Sequence, residues 1–225
     1  MKRHHLFLLC LVLSLTLHHI PYGFYLSYPL LLISTVAHEM GHGLMALLMG
    51  GHFHALEMHA DGSGVAHYSG RFGSLTVAIV AAAGLLGPAL AAWLALWAAR
   101  QGVRARRGLA VSGIACLLAT LLVVRGVFAP FFIGGLGVLL LVLSRKASLE
   151  VCRFTLAFLG VQLGLACFTR SDYLFTRTAG GDLPSDVEQI AQHLFLPYWF
   201  WGGLIAILTL LVLAQGARGF LREGR

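Results

Sequence analysis

Charge is what this sequence has least of. Asp, Glu, Lys and Arg make up 11% of its 225 residues, against about 25% in a soluble domain. Hydrophobic residues reach 58%, and the mean hydropathy is +0.82. Water is therefore not the main solvent of the fold, and no interval has room for a soluble domain. No small-residue cleavage site follows the apolar stretch Leu6 to Leu17, because the chain continues His18-His19-Ile20-Pro21-Tyr22-Gly23. That stretch reads as an uncleaved first helix behind Met1-Lys2-Arg3. Cys10, Cys116, Cys152 and Cys167 lie within apolar runs and show no C-x-x-C spacing. They read as buried thiols packing like small hydrophobes and say little about redox compartment. No basic patch interleaved with aromatics is present, so nucleic acid is not an expected partner.

What is there is a series of apolar runs, each near the ~20 helical residues that cross a hydrocarbon core. Spans are expected at about 6–20, 25–49, 75–99, 109–124, 127–143, 150–169 and 198–215. The fourth and fifth are short and divided by Arg125-Gly126, as a hairpin or as one broken element. The fold class is an all-α polytopic membrane protein: a single multi-pass unit over 1–225, with about six or seven transmembrane helices and the lipid bilayer as its surroundings. The net charge of +7 sits in short clusters: Arg100, Arg104, Arg106 and Arg107, then Arg145 and Lys146, then Arg218, Arg222 and Arg225. Such clusters resemble cytoplasmic loops facing anionic lipid. Counting seven spans from a cytoplasmic N-terminus places 100–108, 144–149 and the C-terminal tail outside, where arginine is disfavoured. Either one span does not cross fully, or the N-terminus is outside.

Two polar intervals interrupt the spans. In 50–74, alternating stretches at Leu56-Glu57-Met58-His59 and Val65-Ala66-His67-Tyr68 flank the turn signal Asp61-Gly62-Ser63-Gly64, which predicts a small β-hairpin. Because it directly follows the run 25–49, it is placed to line the entrance to a site on that helix. The acidic loop 170–197 holds Asp172, Asp182, Asp186 and Glu188, four of the nine acidic residues. Within it, Ser185-Asp186-Val187-Glu188 has the capping-box pattern that starts a helix.

The chemistry is concentrated at His38-Glu39-Met40-Gly41-His42, inside the run 25–49. On a helix, residues i and i+4 share a face, so His38 and His42 present two imidazoles to one point. Neutral imidazole is a good zinc ligand, and Glu39 beside that face can reach a metal-bound water as general base. Zinc lowers the pKa of such a water towards ~7 and polarises the carbonyl to be attacked. At 1.5 Å per residue, His42 lies about 10 Å from the helix end at Met49. Ionisable groups at that depth are costly in lipid and are functional by default.

An H-E-x-G-H within an apolar helix, followed by Gly50-Gly51 and a Gly-rich hairpin, resembles the site-2 protease family of membrane-embedded zinc metallopeptidases. The next span, with Gly84-Leu85-Leu86-Gly87-Pro88-Ala89, resembles the small-residue third helix of the compact bacterial branch, which lacks a PDZ domain. The resemblance is best over about 30–95. It implies cleavage of peptide bonds in membrane proteins or peptides within or near the bilayer, and a three-ligand zinc whose third ligand is an aspartate from a later helix. The family's usual L-D-G-type sequence is missing here. The compact branch instead carries a Ser-Asp pair before its last span, matched by Ser185-Asp186, with Asp182 and Asp172 as the alternatives to Asp186. Together with the compactness of the chain, it implies a bacterial inner membrane. The family also places the C-terminal end of the motif helix near the cytoplasm.

The remaining candidates read more plainly. His52, His54, His59 and His67 are polar loop histidines of the hairpin, and His4, His5, His18 and His19 flank the first span. Tyr198, Trp199 and Trp201 read as an interfacial aromatic belt. Ala81-Ala82-Ala83-Gly84 and Gly87-Pro88 let the third span approach the motif helix closely, with a kink at Pro88. The rival functions are a zinc-binding scaffold without proteolysis, which has no need of Glu39, and a small proton- or metal-coupled transporter, for which no inverted repeat is found. Substrate and oligomeric state are not legible.

Overall fold

The computed structural model describes residues 1–169, 171–179 and 183–222, without the side chains of His18, Thr169, Ser171 and Asp172. Within them the chain forms α1 (Arg3–His19), α2 (Gly23–Leu48), β1 (His52–Met58), β2 (Gly64–Ser69), α3 (Ser74–Ala98), α4 (Gly102–Leu122), α5 (Phe128–Lys146) and α6 (Leu149–Thr169). A short 3-10 helix (Ser171–Phe175), α7 (Asp186–His193) and α8 (Tyr198–Leu221) complete it. Helices dominate because lipid offers backbone N–H and C=O groups no partners, and a helix satisfies them internally. Among the described residues, six helices are long and apolar enough to cross a membrane: α2, α3, α4, α5, α6 and α8. The apolar part of α1 is shorter.

α3 is the hub, touched by α2, α4, α6, α7 and α8. Its inward residues are small, with Ala78, Ala81, Ala89 and Ala92 all buried, so its neighbours come close enough for dense van der Waals packing. Bulky residues such as Leu118, Leu121, Phe131 and Leu211 point outward, as expected where the solvent is hydrocarbon. α3 runs unbroken through Pro88.

Two expected boundaries are corrected. α4 starts at Gly102 rather than near 109, so Arg104, Arg106 and Arg107 lie in its opening turns. Ala105 and Leu109 are buried there, and Arg106 reaches the Ala147 carbonyl at 2.8 Å. Arginine stems thus lie along apolar surface while the heads find polar partners. The break between α4 and α5 is neither a tight hairpin nor a broken single helix. Val124 forms an isolated parallel bridge with Leu56 of β1, through Leu56 N–H to Val123 O at 2.8 Å and Arg125 N–H to Leu56 O at 2.9 Å.

β1 and β2 are antiparallel, with Leu56 opposite Ala66 and a register irregularity between Phe53 and Ala55. Leu56 and Met58 are buried against Leu32, Ala129 and Ile133. The turn is closed by Asp61, whose Oδ1 accepts from Ser63 N–H at 2.9 Å. It is tied back to the motif helix by Thr35 Oγ1 donating to Gly62 O at 2.9 Å and Tyr28 OH donating to Ala60 O at 2.5 Å. The hairpin therefore lies back along α2 instead of standing off into solvent.

The charge conflict resolves in the packing. Arg3, Arg100, Arg104, Arg218 and Arg222 line one common cavity. The Met1 amino group lies 3.8 Å from Glu150 at the start of α6. The start of α1, the end of α3, the start of α4, the end of α5, the start of α6 and the end of α8 thus share one end of the bundle. Six crossings, with α1 outside the count, produce that arrangement, whereas seven alternating spans do not.

Candidate metal centre

α2 carries His38, Glu39 and His42 on adjoining positions of its inner face, and Glu39 and His42 are buried. α7 brings Asp186 to them from more than 140 residues further along the chain. Nε2 of His38 lies 3.1 Å from Asp186 Oδ2, and Nε2 of His42 lies 3.4 Å from the same oxygen. The two Nε2 atoms are 3.1 Å apart. Among the described residues this is the group of His, Cys, Asp and Glu side chains able to hold a metal ion.

The protonation pattern decides what these atoms can do. Nδ1 of His42 is 3.0 Å from the Val80 carbonyl of α3. A carbonyl only accepts, so Nδ1 carries the proton, and the neutral ring turns the lone pair of Nε2 into the site. Asp186 Oδ2 is buried and meets no hydrogen-bond donor in good geometry among the described residues. Electron-rich atoms thus converge on one point, an arrangement that a cation between them relieves. A tetrahedral ion with bonds of about 2.0–2.1 Å holds its ligand atoms about 3.3 Å apart, which the observed 3.1–3.4 Å matches. Two imidazoles and a carboxylate are a donor set for zinc with an open fourth position.

Local structure fixes each participant. Ser185 caps α7, its Oγ accepting from Glu188 N–H at 3.2 Å. The same hydroxyl donates to Thr176 O at 2.6 Å, and Ser185 N–H donates to Arg177 O at 2.8 Å. Only half of the expected capping box forms, because that N–H is already engaged. Val187 and Ile190 bury the apolar face of α7 against Ala78, Ala81 and Leu85. Gly84 lies directly under the His42 imidazole, and a Cβ there would collide with Nε2, Cε1 and Cδ2. Gly41 and Gly87 meet backbone of the opposite helix just as closely, which brings α2 and α3 into contact at the site.

The hairpin completes the surroundings. Leu56 directs its N–H and C=O to Val123 and Arg125, so Leu56 and Ala66 form a pair without mutual hydrogen bonds, and Ala66 aims its own N–H away from β1. That N–H meets the Glu39 carboxylate. A Cβ on Gly64 would come within 2.8 Å of Glu39 Cγ, so only glycine lets β2 lie this close. The Tyr68 ring stacks over His42 at 6.4 Å between centroids, and Tyr173 meets His38 edge-on at 6.1 Å. Burial and the Asp186 and Glu39 carboxylates push the Tyr68 phenol up, so it stays a donor. A cavity of about 160 Å³ opens beside His38 and Glu39, bounded by Thr35, Leu85, Cys167 and Tyr173. That is about ten times what one water needs.

The expected group of His38, Glu39, His42 and Asp186 is thus brought together. Asp182 and the side chain of Asp172, the two alternatives to Asp186, lie outside the described residues. Tyr68, Tyr173 and the Val80 carbonyl had no signal in the sequence, since nothing in a sequence marks a carbonyl or a lone tyrosine as lining a site. Trp199 and Trp201, expected together at an interface, differ: Trp199 faces outward, while Trp201 turns in and donates to Leu196 O at 3.0 Å.

Comparison with curated proteins and with solved structures returns no match for the chain. A family model described as Peptidase M50B-like matches residues 6–216, from α1 to the last turns of α8, with the whole site inside it. By that match this membrane protein, with its three convergent side chains on α2 and α7, belongs to the M50B-like peptidases, that is, to the site-2 protease family.

Proposed function

We propose that the chain is an intramembrane zinc metalloprotease hydrolysing peptide bonds of membrane-associated proteins or peptides. His38, His42 and Asp186 hold the metal, and Glu39 is the general base. The observation that carries this reading is the convergence of three ligand atoms at 3.1–3.4 Å beside the buried Glu39 carboxylate. Bound zinc supplies the positive centre that acidifies water and polarises the scissile carbonyl. Glu39 takes the proton of the attacking water and hands it to the departing amine. The Ala66 N–H keeps that carboxylate oriented, and the Val80 carbonyl keeps His42 in one tautomer. The outer edge of β2, next to Glu39, receives an unwound stretch of substrate as an added strand. A scaffold has no use for a positioned carboxylate, which ranks that rival lower. Among the described residues no strands form beyond β1 and β2, which fits the compact branch, and a bacterial inner membrane is the proposed location.

The test is zinc content per chain of the detergent-purified wild type, His38→Ala and Asp186→Ala. About one zinc in the wild type and far less in both variants supports the site. Zinc lost only with His38→Ala moves the third ligand to Asp182 or Asp172. A wild type that takes up no zinc on reconstitution rules the reading out and favours a transporter.

A further inference from the structure

At the cationic end of the bundle, Arg3, Arg100, Arg104, Arg218 and Arg222 line a cavity of about 1170 Å³. None of its lining residues among the described ones is Asp or Glu. The guanidiniums of Arg3, Arg100 and Arg104 are held by protein contacts, while Arg218 and Arg222 are exposed. Arg104 sits over the Trp97 ring at 4.6 Å, and Arg3 donates to the Arg222 carbonyl. Arg100 packs on Gly219 and Trp93 on Gly216, where a Cβ would meet each of them; α8 therefore makes room for both. Arg100 Nε is buried without a hydrogen-bond partner. Burial, then the Arg3 and Arg104 charges, pull its guanidinium below the ordinary value. A guanidinium stays charged regardless, so Arg100 is a cation set among other arginines with no hydrogen bond at Nε. The opposite wall is apolar, made by Trp93, Leu211 and Val212. A cavity cationic at one end and apolar at the other, placed where membrane-crossing helices end, has the polarity of a lipid.

We propose that this cavity binds the phosphate headgroup of an anionic phospholipid. Paired guanidinium N–H groups receive the phosphate oxygens, and the tryptophan and leucine wall takes the upper acyl chains. A free phosphate ion matches the arginines but leaves that wall in water, so the lipid is the favoured source.

The experiment is native mass spectrometry of the full chain, delipidated and offered equal amounts of phosphatidylglycerol and phosphatidylcholine. The wild type is expected to retain phosphatidylglycerol at least about tenfold over phosphatidylcholine. Arg100→Gln with Arg218→Gln is expected to remove the preference. Arg145→Gln, at the same end but outside the cavity, is expected to keep it. Should the double variant not fold, tryptophan quenching in the wild type decides, since brominated phosphatidylglycerol must then quench more strongly than brominated phosphatidylcholine. Equal retention of the two lipids by the wild type overturns the proposal. So does an equal loss with Arg145→Gln, which assigns the preference to the whole charged end. Displacement of the lipid by millimolar inorganic phosphate overturns it in favour of a free anion.

Discussion

The carbonyl of Val80 on α3 lies 3.0 Å from Nδ1 of His42 on α2, so a backbone group of one helix sets the tautomer of a side chain on another. The same imidazole rests on Gly84, one turn further along α3. Gly84→Ala is therefore expected to push the ring off its bearing. Overpacking of this kind costs about 1–3 kcal/mol, and zinc content should fall along with the melting temperature. A variant with unchanged zinc content would show that the ring can shift without losing the metal.

Glu39→Gln keeps the shape of the side chain and removes its basicity. Zinc content is expected to stay at the wild-type level, while cleavage of a membrane-embedded reporter peptide drops by about 10²–10⁴, the range of general acid–base catalysis. Retained cleavage would return Glu39 to a structural role.

Gly64→Ala separates two functions of the same helix. The added Cβ meets Thr35 Cγ2 at 2.7 Å and Glu39 Cγ at 2.8 Å, but it is directed at neither His38, His42 nor Asp186. Cleavage is expected to fall several-fold with zinc retained. Loss of zinc instead would mean that the hairpin also supports the metal.

Ser185→Ala removes the cap of α7 and the donor to the Thr176 carbonyl. Loss of an N-cap costs about 1 kcal/mol, and the first residue it releases is Asp186. Zinc affinity should weaken by roughly tenfold, the equivalent of about 1.4 kcal/mol, and occupancy should return at higher zinc. Isothermal titration with zinc measures this directly.

Membrane orientation follows from six crossings. Cysteine at Lys2, at the start of α1, and cysteine at Arg145, at the end of α5, should label from the same face with an impermeant maleimide. The arginine-rich face is expected to be cytoplasmic, which puts the C-terminal end of α2 on the other side, against what the family resemblance implies. Labelling of the two from opposite faces would bring back a seventh crossing.

Much of the fold was open to inspection in the sequence because bilayer length and helical rise are fixed quantities. All seven apolar segments appear as helices, and the turn signal Asp61-Gly62-Ser63-Gly64 lies where the hairpin reverses. The start of α4 was not legible, because Arg104, Arg106 and Arg107 look like a loop until buried Ala105 and Leu109 show that their stems lie on protein. The orientation conflict arose in the same way: a run of apolar residues cannot reveal that α1 shares an end with α3 and α8.

The sequence by itself determined that His38, Glu39 and His42 share one face, since spacing on a helix is local geometry. It also placed a helix start at Ser185, because capping depends on residues only three positions apart. Only the tertiary structure decided that Asp186 meets the two histidines, that Val80 orients one of them, and that β2 reaches Glu39. Those relations join residues tens to more than a hundred positions apart, and they depend on how closely Gly41, Gly84, Gly87 and Gly64 let backbones approach. Close packing is a property of surfaces in contact, and no local pattern in the chain encodes which surfaces those are.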